Sequence, residues 1–130
     1  MLKSFCRKWQ NKSVEDDGAY PSQEFIKFAN ELHSVLKIDA RDHGYRLFSF
    51  NCGHYDVSGF FEKDGRYVYF SYDVPRGGAA IDFRKTDPCE GVLFRTASGP
   101  EDYRGGTNRF CSMNNLMSEV QALLYKEVFI

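Results

Sequence analysis

Val57-Ser-Gly-Phe-Phe-Glu-Lys-Asp-Gly-Arg-Tyr-Val-Tyr-Phe-Ser-Tyr72 decides the fold of this chain. Two runs rich in aromatic and β-branched residues flank Asp64-Gly65, and Asp-Gly is the strongest short hairpin signal, because a type I′ turn needs positive φ at both central residues. With Asp64 and Gly65 as the two-residue loop, the register follows. Lys63 stands opposite Arg66 at the turn, and Phe61 opposite Val68, Gly59 opposite Phe70 and Val57 opposite Tyr72 share one face. The other face carries Phe60 opposite Tyr69, Glu62 opposite Tyr67 and Ser58 opposite Ser71. The first face has no charge along Val57, Phe61, Val68 and Phe70, so it is the expected core face, with the Phe70 ring lying over Gly59. The second mixes rings with hydroxyls and a carboxylate and is expected to be only partly covered.

Outward from the hairpin, Tyr45–Asn51, His54–Phe61 and Arg66–Tyr72 read as three strands, Gly91–Ala97 as a further strand, and Ala79–Phe83 as a short edge strand. Val74-Pro-Arg-Gly-Gly78 reads as a turn or loop. Before the strands, residues 2–12 place Leu2, Phe5, Cys6 and Trp9 at helical spacing among Lys3, Arg7, Lys8 and Lys12. This basic helix is expected to dock through Trp9; a free arm touching an acidic partner is the alternative. An acidic linker (14–21) follows. Ser22 then caps a helix with Glu24 in its first turn and a stripe of Phe25, Phe28, Ala29, Leu32 and Val35. A closing helix runs from about Met113 to Lys126, capped by Ser112, with Met113, Met117, Val120, Leu123 and Leu124 inward. This order predicts one α+β domain over 1–130, with 1–21 as basic helix plus acidic linker. Its body is an antiparallel β-meander of four to five strands packed with N-terminal and C-terminal helices.

Composition narrows the function. The chain has 130 residues, 42% hydrophobic and 16% aromatic, enough for one core. Its formal charge of −1 rules out the broad basic field of dedicated nucleic-acid binders. No secretory signal follows Met1, and no segment is long and apolar enough to span a bilayer. Cys6, Cys52, Cys89 and Cys111 stand singly, without a CxxC pair, which points to reduced thiols in a cytoplasmic protein rather than to zinc. No cofactor or metal motif is present. The glycines at 77–78 and 105–106 lack the Lys-Ser/Thr of a phosphate loop and read as turns.

The remaining lead is Arg95-Thr-Ala-Ser-Gly-Pro-Glu-Asp-Tyr-Arg-Gly-Gly-Thr-Asn-Arg109, a long polar loop, and long loops more often carry function than filler. The candidate binding residues are Arg76, Arg95, Tyr103, Arg104, Asn108 and Arg109, with Tyr67 and Tyr69 on the second sheet face. Rings on a sheet with arginines at its edge suit unpaired bases and phosphates. Tyr and Arg are equally the residues of protein interfaces, and the near-neutral charge favours a protein partner. The plain alternative is that the basic Trp9 helix covers these rings. Few apolar groups anchor Ser98–Asn108, so the loop is expected to be mobile in the free protein; alternatively it is a brace, with Tyr103 on the core and its arginines paired to Glu101 or Asp102. His54 and Asp56, two apart on an expected strand, suit general-base chemistry or a metal. With no nucleophile or third ligand in view, a non-enzymatic binding protein is the expectation, a single-stranded nucleic-acid-binding accessory protein the runner-up, and a small hydrolase or transferase using His54 and Asp56 the third reading.

Gly53-His-Tyr-Asp-Val-Ser-Gly-Phe60, Tyr67-Val-Tyr-Phe-Ser-Tyr-Asp-Val-Pro-Arg-Gly77, Arg95-Thr-Ala and Asp102-Tyr-Arg-Gly-Gly-Thr-Asn108 resemble segments of small uncharacterised proteins carried on bacterial mobile elements and prophages. The likeness covers roughly residues 25–125. Such cargo is similar in size and in poverty of motifs to anti-defence proteins, including anti-CRISPR inhibitors. That resemblance implies a cytoplasmic protein of the bacterial host cell that occludes a surface of a host protein or ribonucleoprotein complex.

Overall fold

Asp64 and Gly65 both take positive φ, 53° and 78°, so the turn is the type I′ hairpin that Asp-Gly specifies. The computed structural model describes residues 1–10, 14, 17–74 and 91–128, with side chains through Leu124. The hairpin joins β2 (Asp56–Lys63) to β3 (Arg66–Asp73) in the register the turn predicts, Lys63 to Arg66 through Val57 to Tyr72. β1 (Arg46–Cys52) lies outside β2, and β4 (Val92–Ala97) and β5 (Arg109–Cys111) follow on the other side. The sheet order is β1-β2-β3-β4-β5, antiparallel throughout. The expected Ala79–Phe83 strand, the 75–78 turn, Arg76 and Cys89 lie outside the described residues.

The uncharged face is the core. Val57, Phe61, Val68 and Phe70 are fully buried there. The Phe70 ring lies over Gly59, where a Cβ would come within 3.0 Å of Phe70 Cε1. Three helices pack on this side: α1 (Leu2–Trp9), α2 (Gln23–Asp42) and α3 (Leu116–Val128). On α1, Leu2, Phe5, Cys6 and Trp9 are buried, and Trp9 meets the Phe28 ring edge-on at 5.1 Å. Trp9 Nε1 donates to Glu31 of α2 at 2.8 Å, so this helix is docked on the body. The Ser22 hydroxyl accepts the Phe25 N–H at 3.1 Å, capping α2 as expected. The inner stripe of α2 continues through Leu36 and Ala40, while Val35 is only partly buried. From Leu32 the i+4 step leads to Leu36, which turns Val35 to the flank.

Three differences from the sequence reading bear on function. β2 starts at Asp56, so His54 sits in the bend before it. The closing helix opens with a 3₁₀ turn (Met113–Asn115); Ser112 makes no side-chain cap, and Leu116 joins the core. The tail of the long loop forms β5, a three-residue strand too short to show a period of two.

β1 carries a bulge between Phe48 and Asn51, with Ser49 at φ 51°. Phe48 pairs with Phe60, whereas Phe50, two residues on, reaches Phe70 on the core face and stacks on His33 at 4.3 Å. Without the bulge both rings would share one face.

Phe70→Ala leaves a cavity beside Gly59 and Phe61 and is expected to cost about 3–5 kcal/mol in a denaturant titration. Ser22→Ala loses a single helix cap and is expected to cost about 1 kcal/mol. Equal losses would mean that Phe70 is not a core residue.

Candidate binding face

Alternation along the strands sends a second set of side chains away from the helices: Phe60 and Glu62 from β2, Tyr67 and Tyr69 from β3, Leu93 and Arg95 from β4, and Phe110 from β5. β1 adds Arg46 and Phe48. Among the described residues, what covers this face is the loop 98–108, not the Trp9 helix, whose indole is buried against Phe28 on the core side. Phe60 is nonetheless fully buried. Its ring lies 5.1 Å from Tyr69 and 5.4 Å from Tyr103, and Tyr69 meets Tyr103 edge-on at 5.7 Å. Beside this trio Phe48 stacks on Tyr67 at 6.1 Å. The Arg46 guanidinium lies 4.7 Å from the Phe48 ring while its Nε donates to Glu62 at 2.9 Å.

Arg95 ties the loop to the sheet. Its guanidinium sits 4.5 Å above the Tyr69 ring, a cation–π geometry, and the residue is only 8% exposed. It donates to the Tyr103 carbonyl and to Asn108 Oδ1, the latter at 3.3 Å. Its Nε has no hydrogen-bond partner among the described residues.

Asp102 holds the loop's own shape. Its carboxylate accepts the backbone N–H groups of Ser98 at 2.9 Å, Arg104 at 3.0 Å and Gly105 at 2.8 Å, and the Ser98 hydroxyl at 3.1 Å. These bonds, the Ser98 N–H first, pull its pKa down to about 2, since each favours the charged form. Gly106, at φ 75°, runs so close to β4 that a Cβ would fall 2.5 Å from the Thr96 carbonyl. The loop therefore takes the braced arrangement, hydrogen-bonded within itself and pressed against β4. A count of apolar groups overlooks a carboxylate that collects four donors.

The arginines do not pair with Glu101 or Asp102 as the brace reading expected; Asp102 binds backbone N–H groups instead. Of the sequence candidates, Tyr69, Arg95, Tyr103 and Asn108 meet in one cluster, and Tyr67 lies beside it against Phe48. Arg104 projects from the loop, exposed. Arg109 pairs with Phe94 of the core face, so it points away from Phe110. Arg76 lies outside the described residues. Sequence reasoning missed Phe110, which is 66% exposed, as well as Phe48 and Arg46. The signal for Phe110 is an aromatic flanked by polar neighbours, and it carries no weight until β5 is known to pair with β4.

His54 and Asp56 do not share a strand. The His54 ring meets Tyr20 edge-on at 4.4 Å, and the Asp56 carboxylate folds back over Gly53. No group of three or more metal-ligating side chains gathers among the described residues. No helix there is long and apolar enough to cross a membrane. Comparison with protein families, curated proteins and solved structures finds no match to this chain.

With its pKa depressed, the Asp102 carboxylate stays charged through and below the usual carboxylate range, and its bonds are lost only as the pH falls toward about 2. The Ser98 and Gly105 amide resonances are expected to titrate with a midpoint near that value; a midpoint at the ordinary 3.8 would show that the carboxylate is not bonded. Tyr103→Ala, which uncovers Phe60, is expected to cost about 1–2 kcal/mol and to lower the melting temperature. No change in melting would mean that the ring does not brace the sheet.

Proposed function

We propose that this protein acts by binding, without catalysis, and that the open sheet face with its braced loop docks on a protein surface of a bacterial host complex and occludes it. The observation that carries this reading is the exposure of Phe110 and Tyr103, 66% and 50%, on the sheet face that no described helix covers. Large apolar side chains left in water on one face mark interaction surfaces. Tyr and Arg around them are the residues that anchor such interfaces.

Charge and ring access favour a protein over single-stranded nucleic acid. Arg46 shares its charge with Glu62, and Arg95 is buried beneath Tyr103, so both are less available to a phosphate than unpaired, exposed arginines. Asp56 and Asp73 pair across β2 and β3 on the same face. Phe60 is buried and Tyr69 is enclosed by Arg95 and Tyr103, which withdraws two rings from base stacking. The host complex, of which a CRISPR effector is the leading case, and the origin on a mobile element or phage rest on the resemblance of the 53–60, 67–77 and 102–108 segments to mobile-element cargo.

Tagged protein used to capture partners from bacterial lysate tests this reading. Capture is expected to survive nuclease and to fall roughly tenfold with Phe110→Ala at an unchanged melting temperature. His54→Ala is expected to leave capture and any cellular effect intact. Capture abolished by nuclease transfers the face to nucleic acid. Capture indifferent to Phe110→Ala removes the face from binding. A folded His54→Ala protein that still binds but has lost its effect points to chemistry.

A further inference from the structure

The two residues that flank the hairpin turn, Lys63 and Arg66, face each other across the sheet on the helix side, beyond the end of the hydrophobic core. There α3 passes the tip of the hairpin, and Arg66 Nη1 donates to the Leu124 carbonyl at 3.3 Å. The two elements flank an open cleft of about 850 Å³, within the size range of small-molecule sites. Tyr45, Lys63, Asp64 and Arg66 line it from the sheet side, and Gln121 and Leu124 from α3.

The walls sort by chemistry. Tyr45, 5% exposed, and Leu124 form an apolar floor. Lys63 Nζ lies 5.2 Å from the Tyr45 ring centre, and its chain runs past Gly44, where a Cβ would sit 3.5 Å from Lys63 Cε and Nζ. The ammonium is thus laid along one wall before anything binds. Elsewhere on the described surface the structure pairs cations with carboxylates, Lys8 with Glu31 and Arg46 with Glu62. Among the described residues, Lys63 and Arg66 form no ion pair of this kind. Asp64 is the one acid lining the cleft among the described residues, so two cations face one carboxylate. Burial, and then the Asp64 charge, push the Tyr45 hydroxyl pKa upward, which keeps its proton in place as a donor.

We propose that this cleft binds a small organic anion, its carboxylate or phosphate held between the Lys63 ammonium and the Arg66 guanidinium and its apolar part resting on Tyr45 and Leu124. Such pairs of cations supply charge-assisted bonds, with the guanidinium adding a planar fork. Gln121 offers a neutral donor and acceptor on the opposite wall. The site lies on the helix side of the sheet, so it stands apart from the Phe110 face and does not depend on it.

Benzoate and inorganic phosphate serve as probes, titrated into the whole protein at ionic strength held constant with chloride, with the Gly44, Gly65 and Gln121 amides as the readout. Saturable shifts with a millimolar dissociation constant are expected for at least one probe. Lys63→Gln and Arg66→Gln should each weaken binding roughly tenfold, and Lys37→Gln on exposed α2 should not. Asp64→Asn keeps a residue that accepts positive φ and removes the repelling charge, so it should tighten binding about twofold. Shifts that stay linear for both probes, or an affinity unchanged by Lys63→Gln and Asp64→Asn, would overturn the site. Binding of benzoate alone identifies a carboxylate ligand, and of phosphate alone a phosphorylated one; either outcome upholds it.

Discussion

Everything in this molecule is referred to one turn. Asp64 and Gly65 hold positive φ, and this sets which residues of β2 and β3 stand opposite each other. Side chains alternate with a period of two, so a slip of one residue would carry Val57 and Phe61 out to the open face and bring Glu62 inward. The ring of Phe70 over Gly59 supports the same register from within, because a Cβ there would press on the ring at 3.0 Å. The helices then have a single apolar surface to cover, and they cover it together.

The other face is closed by different means. In place of a helix stripe, it uses a polar hub and an aromatic trio: Asp102 shapes the loop, Arg95 holds Tyr103 and Asn108 to β4, and Tyr103 closes over Phe60. Arg95 is nearly buried without a carboxylate partner among the described residues, and burial of an unpaired charge is costly. The Tyr69 ring beneath it and two carbonyl oxygens offset part of that cost. The clamp is local, and it leaves the β5 end of the face open, which is where Phe110 stands in water.

The fold was legible where physics acts over a few residues. The hairpin register came from the Asp-Gly dipeptide, the α2 start from Ser22 and its first turn, and the α1 face from the spacing of Leu2, Phe5, Cys6 and Trp9. The candidate face was legible in part of its membership and not in its roles: Phe110, Phe48 and Arg46 were missed. Tyr67, Tyr69, Arg95, Tyr103 and Asn108 do gather on one face, yet Arg95 and Asn108 serve to hold the loop, and Arg109 points to the other side.

What the sequence by itself determined is the hairpin register, the uncharged core face and the α+β order of elements, because turn dihedrals, caps and periodicity are properties of neighbouring residues. Only the tertiary structure decided what happens on the second face. The bulge at Ser49 sends Phe48 and Phe50 to opposite sides. Three residues after the loop become a strand because β4 is there to pair with them. Asp102 turns a glycine-rich segment into a brace through bonds that no spacing announces. Each of these depends on groups brought together across the chain, and contacts of that kind leave no period in the sequence to read.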